Sequence, residues 1–226
     1  MTKKELLKRY ALFVLSLFVC AFGIALTRHS DLGMSPIASV PNIFSCKYTF
    51  LSMGVWLVLW HCLLILGQIL ILKHDFQPIQ FLQLPLSFLF GAFTDFGLWC
   101  VSFIPVSNYF VKLCLVFCGV FVLACGVSLA VIANVILNCG EAFVKAIADK
   151  TGKNFGDLKV AFDVSCVAIS VILSLFFFHG TIIGTREGTV ITALCTGFVV
   201  KKVTALIRGP LERILVEPGK VKVEVQ

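Results

Sequence analysis

Residues 30–46 read S-D-L-G-M-S-P-I-A-S-V-P-N-I-F-S-C, and residues 133–149 read A-N-V-I-L-N-C-G-E-A-F-V-K-A-I-A-D. Each stretch follows a long apolar run and is too short and too interrupted to cross a bilayer. Each also carries polar residues where a short helix would begin. We interpret the two stretches as the paired broken elements of a duplicated membrane protein.

The rest of the chain consists mainly of long apolar runs. Of its 226 residues, 59% are hydrophobic and 14% are charged, which gives more apolar surface than one soluble core can bury. A spanning helix needs about 20 mostly apolar residues. We therefore predict an all-α polytopic membrane protein with six transmembrane helices, over residues 10–28, 52–73, 79–100, 109–132, 157–179 and 187–207. The first is long and lacks a clear cleavage site, so we expect an anchor and not a signal peptide.

The lysine and arginine positions indicate the orientation. A cytoplasmic start places most basic residues inside: those of the N-terminus, Lys73, the loop from Lys145 to Lys159, and the tail. The positive-inside rule then predicts that both termini are cytoplasmic. The net charge of +7 belongs to these segments, where it meets anionic membrane lipid. No basic stripe with interleaved aromatic residues is found, so we expect no nucleic-acid partner.

The two halves of the chain resemble each other at fixed spacings. G-I-A-L at residues 23–26 matches G-V-S-L at 126–129, and the same spacing pairs Asp31 with Asn134 and Ser35 with Asn138. Slightly larger spacings pair Phe50 with Phe155 and Gly91 with Gly197, as well as Gln80 with Arg186 and Gln83 with Thr189. We call positions at these spacings repeat-related.

Each half has a long helix, a short interrupted element and two more long helices, hence three crossings. An odd number of crossings forces the two halves to insert in opposite orientations, the inverted repeat common in secondary transporters. We expect a cytoplasmic N-terminus over residues 1–9, repeat 1 over 10–106, repeat 2 over 107–207 and a cytoplasmic tail over 208–226.

The short elements, 35–46 and 139–150, have helix-start signals. Ser35 before Pro36 is typical of an N-cap followed by proline in the first turn, whereas Pro41 makes a long straight helix improbable. Asn138 and Glu141 have the spacing of a capping box. The second element is either a re-entrant helix or an amphipathic connector on the membrane surface. In the functional interpretation, both helix N-termini offer N–H groups to an anionic ligand or to a carboxylate of this chain.

Polar residues near the spans are the candidates for a solute site, because buried charges in a bilayer tend to be paired or functional. Each also has a structural alternative. Asp95 and Asp163 face a cavity or lie at the interface; Arg186 and Glu187 bind ligand or form a local ion pair; glutamines 80 and 83 line a groove or pack between helices. His61 is expected to hydrogen-bond to a neighbouring helix. The predicted substrate-binding residues are Ser35, Gln80, Gln83, Asp95, Asn138, Glu141, Asp163, Arg186 and Glu187.

Ten cysteines are present without any C-x-x-C, and most lie in apolar runs where thiols pack as small hydrophobes. We expect no metal site and no cofactor. No nucleophile elbow, H-E-x-x-H or phosphate-binding glycine loop is found, so we expect no enzyme.

Several segments together resemble the YczE/YyaS/YitT family of bacterial integral membrane proteins, in its YczE-like branch. They are D-L-G-M-S-P-I-A-S-V-P (31–41), Q-L-P-L-S-F-L-F-G (83–91), V-I-A-N-V (131–135), G-E-A-F-V-K-A-I-A-D-K-T-G-K (140–153) and R-E-G-T (186–189). The resemblance implies a multi-pass protein of the bacterial cytoplasmic (inner) membrane and little mechanism. Many members of the family carry a G-P-x-D type pattern after the first and fourth helices. This chain lacks that carboxylate in the first copy, and in the second copy the carboxylate is shifted or replaced, so no paired-aspartate site is carried over.

Three functions are considered. The first is a secondary transporter or permease for a small-molecule solute, with a site near the midplane where the broken elements converge. The second is a membrane accessory or regulatory protein that transports nothing and has no enclosed polar cavity, and the third is a passive channel. A polar pocket reached by residues of both halves would favour the first. The sequence leaves open the solute, its coupling to ions and whether the protein forms homo-oligomers.

Overall fold

The computed structural model describes residues 2–215. Within this range the chain forms eight α-helices and two short 3-10 turns, and none of these residues lies in a β-strand. The helices are α1 (Lys3–His29), α2 (Pro36–Lys47), α3 (Met53–Leu72), α4 (Gln83–Val101), α5 (Tyr109–Ala133), α6 (Cys139–Thr151), α7 (Phe155–Phe177) and α8 (Glu187–Leu215). The 3-10 turns, Lys73–Asp75 and Pro78–Leu82, join α3 to α4.

Six of the helices are long and apolar enough to cross a membrane: α1, α3, α4, α5, α7 and α8. They coincide with the six predicted spans, and the fold class is thereby confirmed as an all-α polytopic membrane protein. The last helix continues past the predicted end at residue 207 to Leu215, with Pro210 inside it. The last part of the predicted tail, residues 216–226, lies outside the described residues.

The surface is apolar and much of the interior is polar, as expected of a protein whose solvent is lipid. Leu70, Phe110 and Phe176 are more than 70% exposed, whereas Ser16 and Gln68 are fully buried. Serine and threonine hydroxyls in the interior donate to carbonyls of the preceding helical turn, which satisfies them without a partner helix. Packing between helices combines apolar clusters, such as Phe13 and Leu17 with Ala130 and Ala133, with small residues and a few hydrogen bonds.

Helices α1 and α5 form the antiparallel centre of the bundle, and glycines allow them to approach closely. A methyl group built on Gly23 would lie 2.6 Å from the backbone of Leu123, and one built on Gly126 would lie 2.5 Å from Cys20 Sγ. Gly119 likewise faces Thr27. At one end of this pair the Arg9 guanidinium donates to carbonyls of the last turn of α5.

The remaining helices pack around this pair in a nearly repeated pattern. Helix α4 lies against α1 and α8 lies against α5, while α2 packs on α7 and α3 packs on α6. The pattern is broken most strongly in one place: α3 packs closely on α4, but among the described residues α7 and α8 scarcely touch. That difference creates the space described next.

Candidate functional site

A cavity of about 480 Å³ lies at the junction of the two halves, and all eight helices contribute to its wall. Most of the wall is apolar, with Phe13, Leu17, Phe90, Leu123 and Val127 among its members. A volume of this size is within the range of small-molecule sites, which are mainly apolar with a few placed polar groups.

The two short helices begin side by side at this cavity. Ser35 and Asn138 are their N-cap residues, and a methyl group built on Gly140 would lie 2.7 Å from the Ile37 side chain. Both helices begin as predicted, but neither N-cap side chain accepts a hydrogen bond from a backbone N–H of its helix. Because α6 packs on α3 and its first turn lines the cavity, the structure favours the re-entrant alternative over a surface connector.

Three charged side chains of the second half line the same cavity. The Lys159 ammonium donates to both carboxylate oxygens of Asp163, one helical turn away on α7. Glu141, in the first turn of α6, forms no ion pair with any described residue. Burial raises the pKa of the Glu141 carboxyl above its ordinary value; Lys159 and Asn138 act in the opposite direction, and the Asp163 carboxylate raises it further.

A network of neutral polar groups holds the first turn of α6 against α3 and α4. The side-chain amides of Gln68 and Gln83 donate to each other at 3.1 and 3.2 Å, and Gln68 Nε2 also donates to the Cys139 carbonyl at 3.3 Å. Ser87 Oγ lies 3.2 Å from both Cys139 Sγ and His61 Nδ1. His61 is thus hydrogen-bonded to a neighbouring helix, as predicted.

The structure brings five of the nine predicted substrate-binding residues together at the cavity: Ser35, Gln83, Asn138, Glu141 and Asp163. They come from both halves of the chain, three of them from the short helices or their caps. For Asp163 the structure selects the cavity over the interface, although its carboxylate is occupied by Lys159.

The other four predicted residues lie elsewhere. The Asp95 carboxylate accepts hydrogen bonds from Ser52 Oγ and from the Gly54 backbone N–H, so it caps the start of α3. Arg186 and Glu187 form an exposed ion pair at 3.4 Å, the structural alternative. Gln80 lines a separate groove of about 390 Å³ beside α6, which shares only Gln83 and residues 136 and 137 with the cavity.

Lys159 and Thr196 are polar cavity residues that are not among the predicted site residues. In the sequence Lys159 belongs to the basic loop from Lys145 to Lys159. Its i, i+4 spacing to Asp163 is the sequence signal for an ion pair on a helix. Thr196 lines the cavity, and its buried hydroxyl has no hydrogen-bond partner among residues 2–215. A threonine in an apolar helix carries no sequence signal of that kind.

The α3–α4 and α7–α8 pairs are repeat-related, but they differ in packing. Gly91 of α4 meets the backbone of Gly54 on α3, with a built methyl group 2.7 Å from the Gly54 carbonyl oxygen. Its repeat-related residue on α8, Gly197, has no neighbour within 4 Å of a built methyl group. Gly197 on α8 and Lys159 on α7, the repeat-related residue of Gly54, instead both line the cavity. The cavity therefore occupies the space that close packing of α7 on α8 would fill.

Six apolar spans, two short helices meeting inside the bundle and a cavity between the halves define an all-α multi-pass membrane protein. The chain belongs to the family described as "Family of unknown function (DUF6198)", which it matches over residues 7–205. No curated protein and no solved structure matches it.

Proposed function

We propose that this protein is a secondary transporter or permease for a small solute, in which two inverted repeats rock around the central cavity to give alternating access. The observation that carries the proposal is the cavity between the halves, which is bordered by the closely packed α3 and α4 and by α7 and α8, which scarcely touch each other. We also propose a location in the bacterial cytoplasmic membrane with both termini inside. Membership of the YczE-like branch stays a prediction.

Backbone conformation supports the inverted repeat. In residues 2–215, four residues other than glycine have positive φ: Asp31, Lys73, Asn134 and His179. Asp31 and Asn134 are repeat-related at the spacing of Gly23 and Gly126, and Lys73 and His179 at the spacing of Gly91 and Gly197. Left-handed backbone is uncommon outside glycine, so four such residues falling into two related pairs indicate a duplicated chain path.

Helix contacts support a two-fold relation between the halves. Gly23 packs on Leu123, and Gly126 packs on Cys20. Because Gly126 is the repeat-related residue of Gly23 and Leu123 that of Cys20, the two contacts are equivalent under the repeat. Gly140 contacts Ile37, its own repeat-related residue, as two positions do when they lie on the axis. Opposed orientation of the halves follows from the antiparallel α1–α5 pair.

The difference between the two helix pairs supports alternation. In an inverted repeat each half can adopt the conformation now held by the other, and exchanging them opens the opposite side. In the exchanged state α8 closes on α7 with Gly197 against Lys159, while α4 separates from α3. The free space around Gly197 in the present state is then the space needed for that closure.

The N-terminal end of α8 is sealed against the segment that precedes α2. The Gly188 N–H donates to the Leu32 carbonyl at 2.8 Å, and the Met34 N–H donates to Thr189 Oγ1 at 3.3 Å. With cytoplasmic termini, this seal is on the outer side and the present state is inward-facing. One sealed end argues against a passive channel, and a cavity lined by both halves argues against a purely accessory role.

The test is uptake of a panel of small metabolites and ions into proteoliposomes, with Gly197→Leu compared with wild type. Gly197 touches nothing in the present state, so the variant should fold, but its side chain should block closure and abolish uptake. Gly209→Leu is the matched control, because Gly209 lies on the same helix and also has open space around it. Normal uptake by the Gly197 variant would contradict closure of α8 on α7.

A further inference from the structure

We infer that the cavity takes a cationic amphipathic solute, with its positive group at Glu141 and its apolar body against α1, α4 and α5. This inference rests on the proposed function, since it names the solute class of the same cavity. It goes further by committing to the sign of the charge and to the side chain that meets it.

The walls and the access route indicate an apolar body. Phe13, Leu17, Phe90, Leu123 and Val127 form a continuous apolar wall. Helices α7 and α8 scarcely touch each other, and of the six spanning helices they have the smallest buried share. A molecule that enters between them passes from the bilayer, where amphipathic molecules concentrate.

The charges indicate a cation. Asp163 and Lys159 neutralise each other through two hydrogen bonds, so the pair adds no net charge. The Glu141 carboxylate is left as the cavity's unpaired charge among the described residues. A charge in an apolar surrounding is costly unless it is paired, and a proton or a bound cation would supply the missing positive charge.

The two helix N-termini do not reverse this sign. In α2 the first helical residue is Pro36, which has no N–H, and the Ala38 N–H already donates to the Ser35 carbonyl at 3.0 Å. In α6 the positive end of the helix is offset by Glu141 itself, which lies in the first turn. Neither N-terminus is therefore left as a strong site for an anion.

The test compares two probes of the same shape and opposite charge, tetraphenylphosphonium and tetraphenylborate. Binding to the purified full-length protein in detergent is measured by isothermal titration calorimetry at pH 8, with a detergent blank for each probe. We expect the cation to bind and the anion to show no binding above the blank. Glu141→Gln should weaken cation binding at least about tenfold, the effect expected from loss of a charge-assisted contact. Glu187→Gln is the matched control, because Glu187 lies outside the cavity and pairs with Arg186, and it should bind like wild type.

Equal or stronger binding of tetraphenylborate, no binding of either probe to folded protein, or full cation affinity in Glu141→Gln would each overturn the inference. These outcomes leave the transport proposal standing, because uptake of the solute panel and its loss in Gly197→Leu are measured without these probes. Conversely, if the protein binds the cation but α8 never closes on α7, the result would support the binding site and contradict the transport mechanism.

Discussion

The Gln68–Gln83 pair shows how single polar side chains fix the position of the short helix α6. Each amide donates to the other, and Gln68 reaches the first carbonyl of α6. Both side chains are almost completely buried. Because a buried amide without a partner loses its hydrogen bonds and gains no hydration, the two residues should be strongly coupled.

Gln68→Leu should therefore destabilise the protein by about 1–3 kcal/mol, mainly because it leaves Gln83 without its partner. The double variant Gln68→Leu, Gln83→Leu should recover part of that loss, since no unpaired amide remains. Unfolding in mixed micelles by SDS titration measures both free energies. Additive losses in the double variant would show that the two amides do not act as a pair.

Glu141 should make stability depend on pH. Its pKa is raised in the folded protein, chiefly by burial, so the folded state binds a proton more tightly than the unfolded state does. The folded protein should then lose stability as pH rises from the ordinary glutamate pKa through the raised pKa. His61 on α3 and Lys159 and Asp163 on α7 line the same cavity.

The measurement is the thermal unfolding temperature of wild type and Glu141→Gln at several pH values between 5 and 8. The glutamine variant should lose less stability as pH rises, and Glu187→Gln should follow wild type. A variant whose pH dependence matches that of wild type would mean that the Glu141 carboxyl is not held in a proton-favouring environment.

At the scale of elements, the residues that join α3 to α4 predict which residues of α7 and α8 would meet in the proposed closed state. Asp95 of α4 binds Ser52 at the start of α3. The repeat-related residues of Asp95 and Ser52 are Lys201 on α8 and Asp157 on α7, and both are exposed in this structure. Opposite charges thus replace a carboxylate and a hydroxyl at the corresponding positions, so closure would form an ion pair.

Asp157→Lys and Lys201→Asp should each disfavour the closed α7–α8 state, and the double exchange should restore it. A partly exposed ion pair contributes about 0.2–1 kcal/mol, so each single change should alter the closed fraction by about 1.5- to fivefold. The closed fraction is read from the α7–α8 distance described below. Single changes without effect, or a double variant that fails to recover, would argue against this contact.

The elements were largely predictable from the sequence, because long uncharged runs allow no other structure in a bilayer. The short helices were predictable from Ser35-Pro36 and from Asn138, residues that start helices. The assembly of the site was less predictable from the sequence. Asp95, Arg186 and Glu187 have the charges of site residues, but each meets a partner close to the start of a helix, which only packing reveals. The charge of Lys159 is evident from the sequence, whereas its position in the cavity depends on the separation of α7 from α8.

At the scale of the molecule, the repeat spacing predicted more than the composition did. The weak matches between Gly23 and Gly126 and between Gly91 and Gly197 indicate which positions correspond, and the contacts then differ most between α3–α4 and α7–α8. That asymmetry accounts for the cavity and is the basis of the proposed second state. It could not be predicted from the sequence, because under the proposed inverted repeat either half could be the closed one, and the matches between the halves do not say which.

The most direct test of alternating access is a pair of distances measured by pulsed electron resonance between spin labels in a cysteine-free variant in nanodiscs. One pair is Val160 on α7 with Phe198 on α8; the other is its repeat-related pair, Val55 on α3 with Ala92 on α4, and all four residues are exposed. We predict two populations for each pair, shifting in opposite directions with pH or added cation, so that α7–α8 shortens as α3–α4 lengthens. A single unchanged distance in both pairs under all conditions would contradict alternating access.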